Sequence, residues 1–199
     1  MSLSQVLDPN PFVEFGKWFQ AAQESGLATP EAMTLATASP SGMPSARIVL
    51  LKRFDETGFV FFTNYESRKA REISANSRVA LVCYWETLTR QVRIEGQAYK
   101  TTRQESHRYF CTRPLESRLA AWASQQSTPL ADKSMLEIRM AELRIKYASG
   151  DVPLPPAWGG YRVVPERIEF WINKPGRLHD RFCYVRQPGG TWLVIQLMP

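Results

Sequence analysis

The chain has 199 residues, of which 44% are hydrophobic and 22% charged, enough for one full core or at most two small ones. Its net charge of +6 is dispersed, with basic residues set among acidic ones as in KYASGD and PERIEF, which favours small anionic ligands and argues against a nucleic-acid stripe. Cys83, Cys111 and Cys183 show neither CxxC nor Cys/His metal spacing and read as free thiols of a reducing compartment. The N-terminus lacks a signal pattern and no apolar run reaches spanning length, so the expectation is a soluble cytoplasmic protein without membrane segments.

Residues 1–9 are polar and expected to be loose. Asn10 as N-cap and Pro11 at the first helical position then open a helix. Phe12, Phe15, Phe19 and Ala22 follow at helical spacing as a core stripe, and Gly26 ends it. A strand is predicted over residues 32–38, and Ser39-Pro40-Ser41-Gly42 turns the chain. The next stretch organises the rest. Residues 47–54 are rich in Ile, Val and Leu and read as one strand. Asp55 and Gly58 bound a turn, residues 59–63 form an aromatic strand, and Ser67 is the N-cap of a helix carrying Ala70, Ile73 and Ala75.

Charges in this stretch stand at telling positions. Arg47 and Lys52 flank the apolar run, and their odd separation puts them on opposite faces of a regular strand. Arg68 and Lys69 occupy the first helical turn, where cations oppose the macrodipole. An anion held by the free N–H groups would remove that conflict, which makes Ser-Arg-Lys a candidate phosphate cradle. Two solvated side chains on an exposed helix end read the same stretch equally well.

Further strands are predicted over residues 78–85 and 90–101, with a bulge or close backbone approach at Gly96. In the second of these Gln91 and Arg93 share one face, Val92 and Ile94 the other. Thr102 and Glu105 make a capping box for a short helix to about residue 111. Arg113, before Pro114, is pushed out of the helical region. Helices over 115–123 and from the Asp132 cap to about 147 come next, the latter with Leu136, Met140, Leu143 and Tyr147 on one side. A Pro/Gly-rich connection, PLPPAWGG, leads to strands over 161–164, 167–172 and 182–186. A Gly189-Gly190 turn leads to the last strand, 191–197. With no repeat, no domain boundary and no βαβ alternation, the expected fold is mainly β with peripheral helices: a single domain over residues 10–199 built as an antiparallel barrel.

No GxGxxG, P-loop, GxSxG or HExxH occurs. His107 reads as an exposed helical residue. In an extended segment Arg177, His179 and Arg181 point to one side. Two arginines flanking a histidine repel it unless an anion is shared, so a ligand site is favoured over a surface ion-pair patch using Asp180. Tyr109, Arg113 and Ser117 recur every four residues and all donate hydrogen bonds suited to phosphate, although Pro114 interrupts the helix. Trp158 and Trp171 read as ring shields or as core. Gln126 and Ser127 offer an amide and a hydroxyl in a loop.

In order along residues 8–199, the segments RIVLLK, FFTNYESRK, RQVRIEG, YFCTRPLES, WASQQS, PLPPAWGGY, IEFW and RLHDRF resemble the pyridoxamine 5′-phosphate oxidase family. The resemblance implies an FMN-binding split β-barrel, Greek-key-like and antiparallel, and a homodimer with both sites at the subunit interface. It implies that Arg47, Ile48, Val49, Leu50, Leu51, Lys52, Phe62, Thr63, Arg68, Lys69 and Gln91 of one subunit line FMN, with Gln126, Ser127, Trp171 and Arg181 of the other. Arg68 and Lys69 would serve the FMN phosphate. Lys52, Tyr109, Arg113 and Ser117 would hold the phosphate of a B6 vitamer, with Arg177 and His179 as catalytic residues against its pyridine ring, orienting it and assisting proton movement. The implied reaction oxidises pyridoxine or pyridoxamine 5′-phosphate to the aldehyde, passing a hydride to the flavin and then to oxygen as hydrogen peroxide, without a metal. The chain departs from the pattern in three places. Nothing before Leu7 matches the family's basic N-terminal segment, Arg118 stands where Gln is usual, and Gln196 where Arg is usual. Competing readings are a phenazine-pathway oxidase or another FMN enzyme on the same barrel, a non-catalytic flavin or pyridoxal phosphate carrier, and a basic nucleic-acid-binding barrel.

Overall fold

A computed structural model of the chain describes residues 7–199, so the loose segment expected over residues 1–9 falls, for residues 1–6, outside the described residues. Within the rest of that segment Asp8 is tied to the fold. The phenol of buried Tyr184 donates to the Asp8 carbonyl at 2.7 Å, the Asp8 N–H donates to Glu14 at 3.1 Å, and Lys17 pairs with the Asp8 carboxylate at 3.2 Å. A buried hydroxyl needs a partner, and the chain before the first helix supplies it.

Helix α1 (Pro11–Glu24) starts as its sequence dictates: the Asn10 side chain accepts from the Phe12 N–H, with Pro11 at the first position. Its Phe12, Phe15, Trp18 and Ala22 are buried in the main core. Phe15 meets Phe54 and Phe59 edge-on at 4.8 and 4.9 Å. Each such ring, fully buried, contributes about 1.5–3 kcal/mol.

Among the described residues nine strands form one sheet with every pairing antiparallel: β1 (Ala32–Ala38), β2 (Pro44–Leu50), β3 (Arg53–Asp55), β4 (Gly58–Asn64), β5 (Arg78–Trp85), β6 (Arg90–Lys100), β7 (Trp158–Ile172), β8 (Asp180–Arg186) and β9 (Trp192–Gln196). Their order is β2-β1-β5-β6-β7-β4-β3, with β8 added to β7 and β9 to β8. The sheet curls round the α1 stripe into a split barrel. Helices α2 (Arg68–Ala75), α3 (Arg103–Cys111), α4 (Leu115–Ala123) and α5 (Lys133–Lys146) lie outside the strands. Phe110, Leu119, Val152 and Trp158 make a second core beneath them, with Met140, Leu143 and Tyr147 of the α5 region packed against it. No described helix is long and apolar enough to cross a membrane.

Three expected strands differ from the observed ones. The run 47–54 is broken: Leu51 N–H donates to Glu31 on the β1 side, while Lys52 N–H donates to Val60 of β4, each at 2.8 Å. The chain changes partner between these two residues, so strand alternation does not relate Arg47 to Lys52. Conversely, the strands expected over 161–164 and 167–172 are one, β7. It starts at Trp158 and pairs with β6 almost throughout. The interruption read at Pro165 is a bulge: Gly96 faces Pro165, Glu95 faces Arg167, and Glu166 is left over. A proline without an N–H is tolerated there because ladder pairing is already disrupted.

A Cβ on Gly96 would run into the Val164 carbonyl, whereas one on Gly16, inside α1, would meet only the Phe54 ring at 3.8 Å. Gly96→Ala is expected to lower stability by about 2 kcal/mol, and Gly16→Ala to raise it by about 0.5–1 kcal/mol. Urea unfolding midpoints of the two variants check both signs.

Candidate functional site

A cleft of about 670 Å³ opens between the strand pair β2/β4 and helices α3 and α4. β2 brings Ile48, Val49 and Leu50 to it; the chain just after β2 brings Lys52. β4 brings Phe62 and Thr63, and the start of α2 brings Lys69. From α3 and beyond come Tyr109, Arg113 and Ser117, with Gln126 from the loop after α4. The interruption at Pro114 does not separate Tyr109, Arg113 and Ser117, because α4 restarts immediately at Leu115. Asn64, Thr112 and Ser124 line the cleft as well; sequence reasoning missed them, since short polar residues in turns carry no distinguishing signal.

One wall is a stack of rings. Phe62 lies 4.1 Å from Tyr109 and 5.4 Å from Trp158, nearly parallel to both. The Arg113 guanidinium sits 4.8 Å over Trp158. Gly160 makes room for this stack, because a Cβ there would press on the Phe62 ring and on Thr101.

Two cations of the cleft, one buried and one half-buried, have no carboxylate partner among the described residues, where shielding from water makes an anion favourable. Lys69 is 8% exposed, and its ammonium donates only to hydroxyls, those of Thr63 at 3.1 Å and Ser67 at 3.4 Å. Among the described residues no carboxylate pairs with it. Burial, and secondarily Arg47, lowers its pKa. The Thr63 hydroxyl in turn donates to the Gln126 Oε1 at 3.2 Å. Gln126, expected from a partner subunit, is therefore held at the cleft of its own chain, because the loop after buried Ala123 runs back over β4. Toward the other side of the cleft, Arg113 has its pKa lowered by burial, with Tyr109 opposing. Its Nη1 is buried without a hydrogen-bond partner. Burial also raises the Tyr109 pKa, so the phenol stays a donor.

Other predicted residues stand elsewhere. Leu51 faces the main core at 5% exposure. Arg47 and Arg68 do not line the cleft; both are bound by Glu72, a residue sequence reading passed over. Its carboxylate accepts from Thr37 at 2.5 Å, Ser45 at 2.6 Å, Arg68 at 2.8 Å and Arg47 at 3.2 Å. Burial alone would raise its pKa, but the Ser45 and Thr37 hydroxyls and the Arg68 guanidinium outweigh it and bring it to about 2. The available signal was a glutamate four residues after Arg68, on the same helical face.

Gln91, Trp171 and Arg181 form one register row across β6, β7 and β8. None of them lines the cleft, and neither do Ser127, Arg177 or His179. The extended geometry expected for Arg177, His179 and Arg181 is not observed. Residues Pro175–Arg177 form a tight turn in which Gly176 and Arg177 both have positive φ, 66° and 62°, and β8 begins only at Asp180. Gly176, after Pro175, makes that turn possible. Ser127 is also left-handed, at φ 72°; non-glycine residues held so are concentrated at functional positions. His179 packs its ring 4.6 Å from Trp171, and its Nδ1 accepts from the Lys174 N–H at 3.2 Å. In the neutral ring the proton is thereby on Nε2. Asp180 pairs with Lys174 and Arg181 with Glu169.

Because the Glu72 carboxyl titrates near 2 in the fold against 4.5 ordinarily, it contributes stability above pH 4.5 that is lost as pH falls toward 2. The advantage of the native chain over Glu72→Gln is expected to shrink by about 3 kcal/mol across that window. Denaturant unfolding of both proteins at a series of pH values measures it; a pH-independent difference would contradict the assignment.

The family described as Pyridoxamine 5′-phosphate oxidase matches residues 19–147, and the Pyridoxine 5′-phosphate oxidase C-terminal dimerisation region matches residues 158–199. The chain is 57% identical over 192 residues to the pyridoxine/pyridoxamine 5′-phosphate oxidase of Rubrobacter xylanophilus, covering 96% of this chain and 88% of that protein. It is 53% identical over 197 residues to that of Microcystis aeruginosa, covering 99% and 92%. Among solved structures, PhzG of Burkholderia lata, in complex with tetrahydrophenazine-1-carboxylic acid, superposes with a TM-score of 0.92 at 32% identity, covering 100% of this chain and 97% of that one. A related FMN-binding protein of Nostoc punctiforme shares the fold at a TM-score of 0.71 and 18% identity, covering 92% and 96%. With both sequence regions matched in order and a split barrel holding the cleft, this chain is a member of the pyridoxamine 5′-phosphate oxidase family and carries its dimerisation region.

Proposed function

We propose that this protein oxidises pyridoxine 5′-phosphate or pyridoxamine 5′-phosphate to pyridoxal 5′-phosphate, with FMN as cofactor and oxygen as final acceptor. The observation that carries the reading is a pair of cations on one cleft without a carboxylate partner among the described residues, buried Lys69 and half-buried Arg113, whose Nη1 is buried and unpartnered. Two phosphorylated rings, a flavin and a vitamer, would satisfy both. FMN, when bound, supplies the redox chemistry by accepting hydride and yielding it to oxygen.

In this reading Lys69, the hydroxyl of Thr63 and the α2 start hold the FMN phosphate, with Arg47 and Arg68 close behind. Ile48, Val49, Leu50, Phe62 and Gln126, which line the cleft, receive the rest of the flavin, and Gln91, in the row of Trp171 and Arg181, would reach it only from the second copy. Lys52, Tyr109, Arg113 and Ser117 hold the vitamer phosphate by charge-assisted hydrogen bonds. A substrate anchored at its phosphate is oriented without contact to the reacting carbon. Arg177 and His179 meet the pyridine ring, the Nε2 of His179 carrying the proton that it donates or exchanges.

Arg177, His179, Trp171 and Arg181 stand outside the cleft of their own chain and inside the dimerisation region. We infer that a second copy presents them, with Ser127, to the cleft, so that each active site takes residues from both subunits of a homodimer. The sheet face carrying Ile48, Leu50, Tyr84 and Leu193, which are 62, 39, 57 and 51% exposed, supports a protein partner there. Free Cys83, Cys111 and Cys183 fit a reducing cytoplasm. A phenazine-type oxidation is the second reading, favoured by the PhzG superposition.

The FMN-loaded protein is expected to bleach on anaerobic addition of pyridoxine 5′-phosphate and to release peroxide when air is readmitted. Bleaching by a reduced phenazine carboxylic acid alone would favour the second reading. Arg113→Ala and His179→Ala are each expected to lose most activity. Mixed in equal amounts and allowed to exchange subunits, they should recover about a quarter of native activity, since half the dimers then hold one intact site of two. No recovery despite verified exchange would place both residues in one subunit's site.

A further inference from the structure

We propose that Glu72 is a positioning residue for phosphate recognition: from the second turn of α2 it clamps Arg47 and Arg68 so that, with Lys69, they offer two net positive charges to a phosphate dianion. This rests on the reading of Lys69 as the phosphate end of the FMN site.

The carboxylate joins three elements. Its donors are Thr37 of β1, Ser45 and Arg47 of β2, and Arg68 one turn earlier on α2. At 7% exposure it is shielded from water, so these charge-assisted bonds are strong. The two arginines depend on it unequally. Arg47 has other partners, the Leu35 carbonyl at 3.3 Å and the Thr37 hydroxyl at 2.5 Å. Arg68, whose side chain is 61% exposed, has Glu72 as its ion-pair partner. Helix α2 has no acidic residue in its first turn and no side-chain cap. Without Glu72, three cations would face one another at a helix end that already disfavours positive charge, and Arg68 would turn to water.

The charges also match. Arg47, Arg68 and Lys69 against Glu72 leave three minus one, or two, positive charges, and a phosphate monoester carries about −1.5 to −2 at neutral pH. Glu72 does not line the cleft, so its effect is exerted through the arginines.

The test titrates FMN and riboflavin, which differ only in the phosphate, into the full chain freed of flavin and follows flavin fluorescence. Glu72→Gln is expected to weaken FMN binding by about tenfold or more while riboflavin binding stays within about twofold, and Glu72→Asp to recover part of the loss. Unchanged FMN affinity in Glu72→Gln, or equal loss for both flavins, would overturn the proposal. Should Glu72→Gln fail to fold, Ser45→Ala removes one donor at a half-buried position. It is expected to give a selective FMN loss of about threefold, and no selective loss overturns the proposal equally. A native chain that binds riboflavin as tightly as FMN would instead remove the reading of Lys69 on which the proposal stands.

Discussion

Strand β7 is hydrogen-bonded on one edge to β6, and its other edge is divided between two partners: β4 over residues 158–163 and β8 over residues 167–172. The bulge between Pro165 and Arg167 makes this division possible, since the added twist there lets the sheet part. The layout of the functional residues follows. The first half of β7 sets Trp158 in the ring stack of the cleft and leaves Gly160 open for Phe62. The second half carries Trp171, against which His179 packs. One strand thus supplies a cleft at one end and a corner at the other, and the two are kept apart within a chain. On the reading proposed above, a second copy would bring the two together.

The electrostatics obey a similar division. Surface ion pairs such as Arg144 with Glu116, both more than half exposed, add little. Around the cleft, burial has raised the stakes. Glu72 is satisfied by four donors and serves as an anchor. Buried Lys69 and half-buried Arg113 lack a carboxylate among the described residues, and a cation shielded from water without an anion is a standing cost that an anionic ligand would remove. Each cation is at the same time fixed by its surroundings, Lys69 by two hydroxyls and Arg113 by the Trp158 face. Positions held in this way lose little entropy when a ligand arrives.

The helices and most strands were legible because their signals are local. Asn10-Pro11, the Thr102–Glu105 capping box and the Asp132 cap each name a helix start from neighbouring residues, and the structure bears out all three. Gly96 announced its bulge because glycine within a strand has few other reasons to be there. The three misread strands failed for one reason. Where a strand ends depends on which neighbour it pairs with, and neither the handover at Leu51 and Lys52 nor the continuity of β7 through Pro165 is written in the residues themselves.

The amino-acid order alone therefore determined the element types, the family resemblance and the kinds of side chain available for phosphate, since these rest on local propensity and on motifs read in sequence. The fold decided which of those side chains share a cavity. Lys69 and Arg113 meet one cleft, Arg47 and Arg68 turn to Glu72, and Arg177 and His179 stand at a strained turn outside it. Burial, charge pairing and partner exchange between strands are properties of contacts far apart along the chain, so no pattern of neighbours could have assigned them.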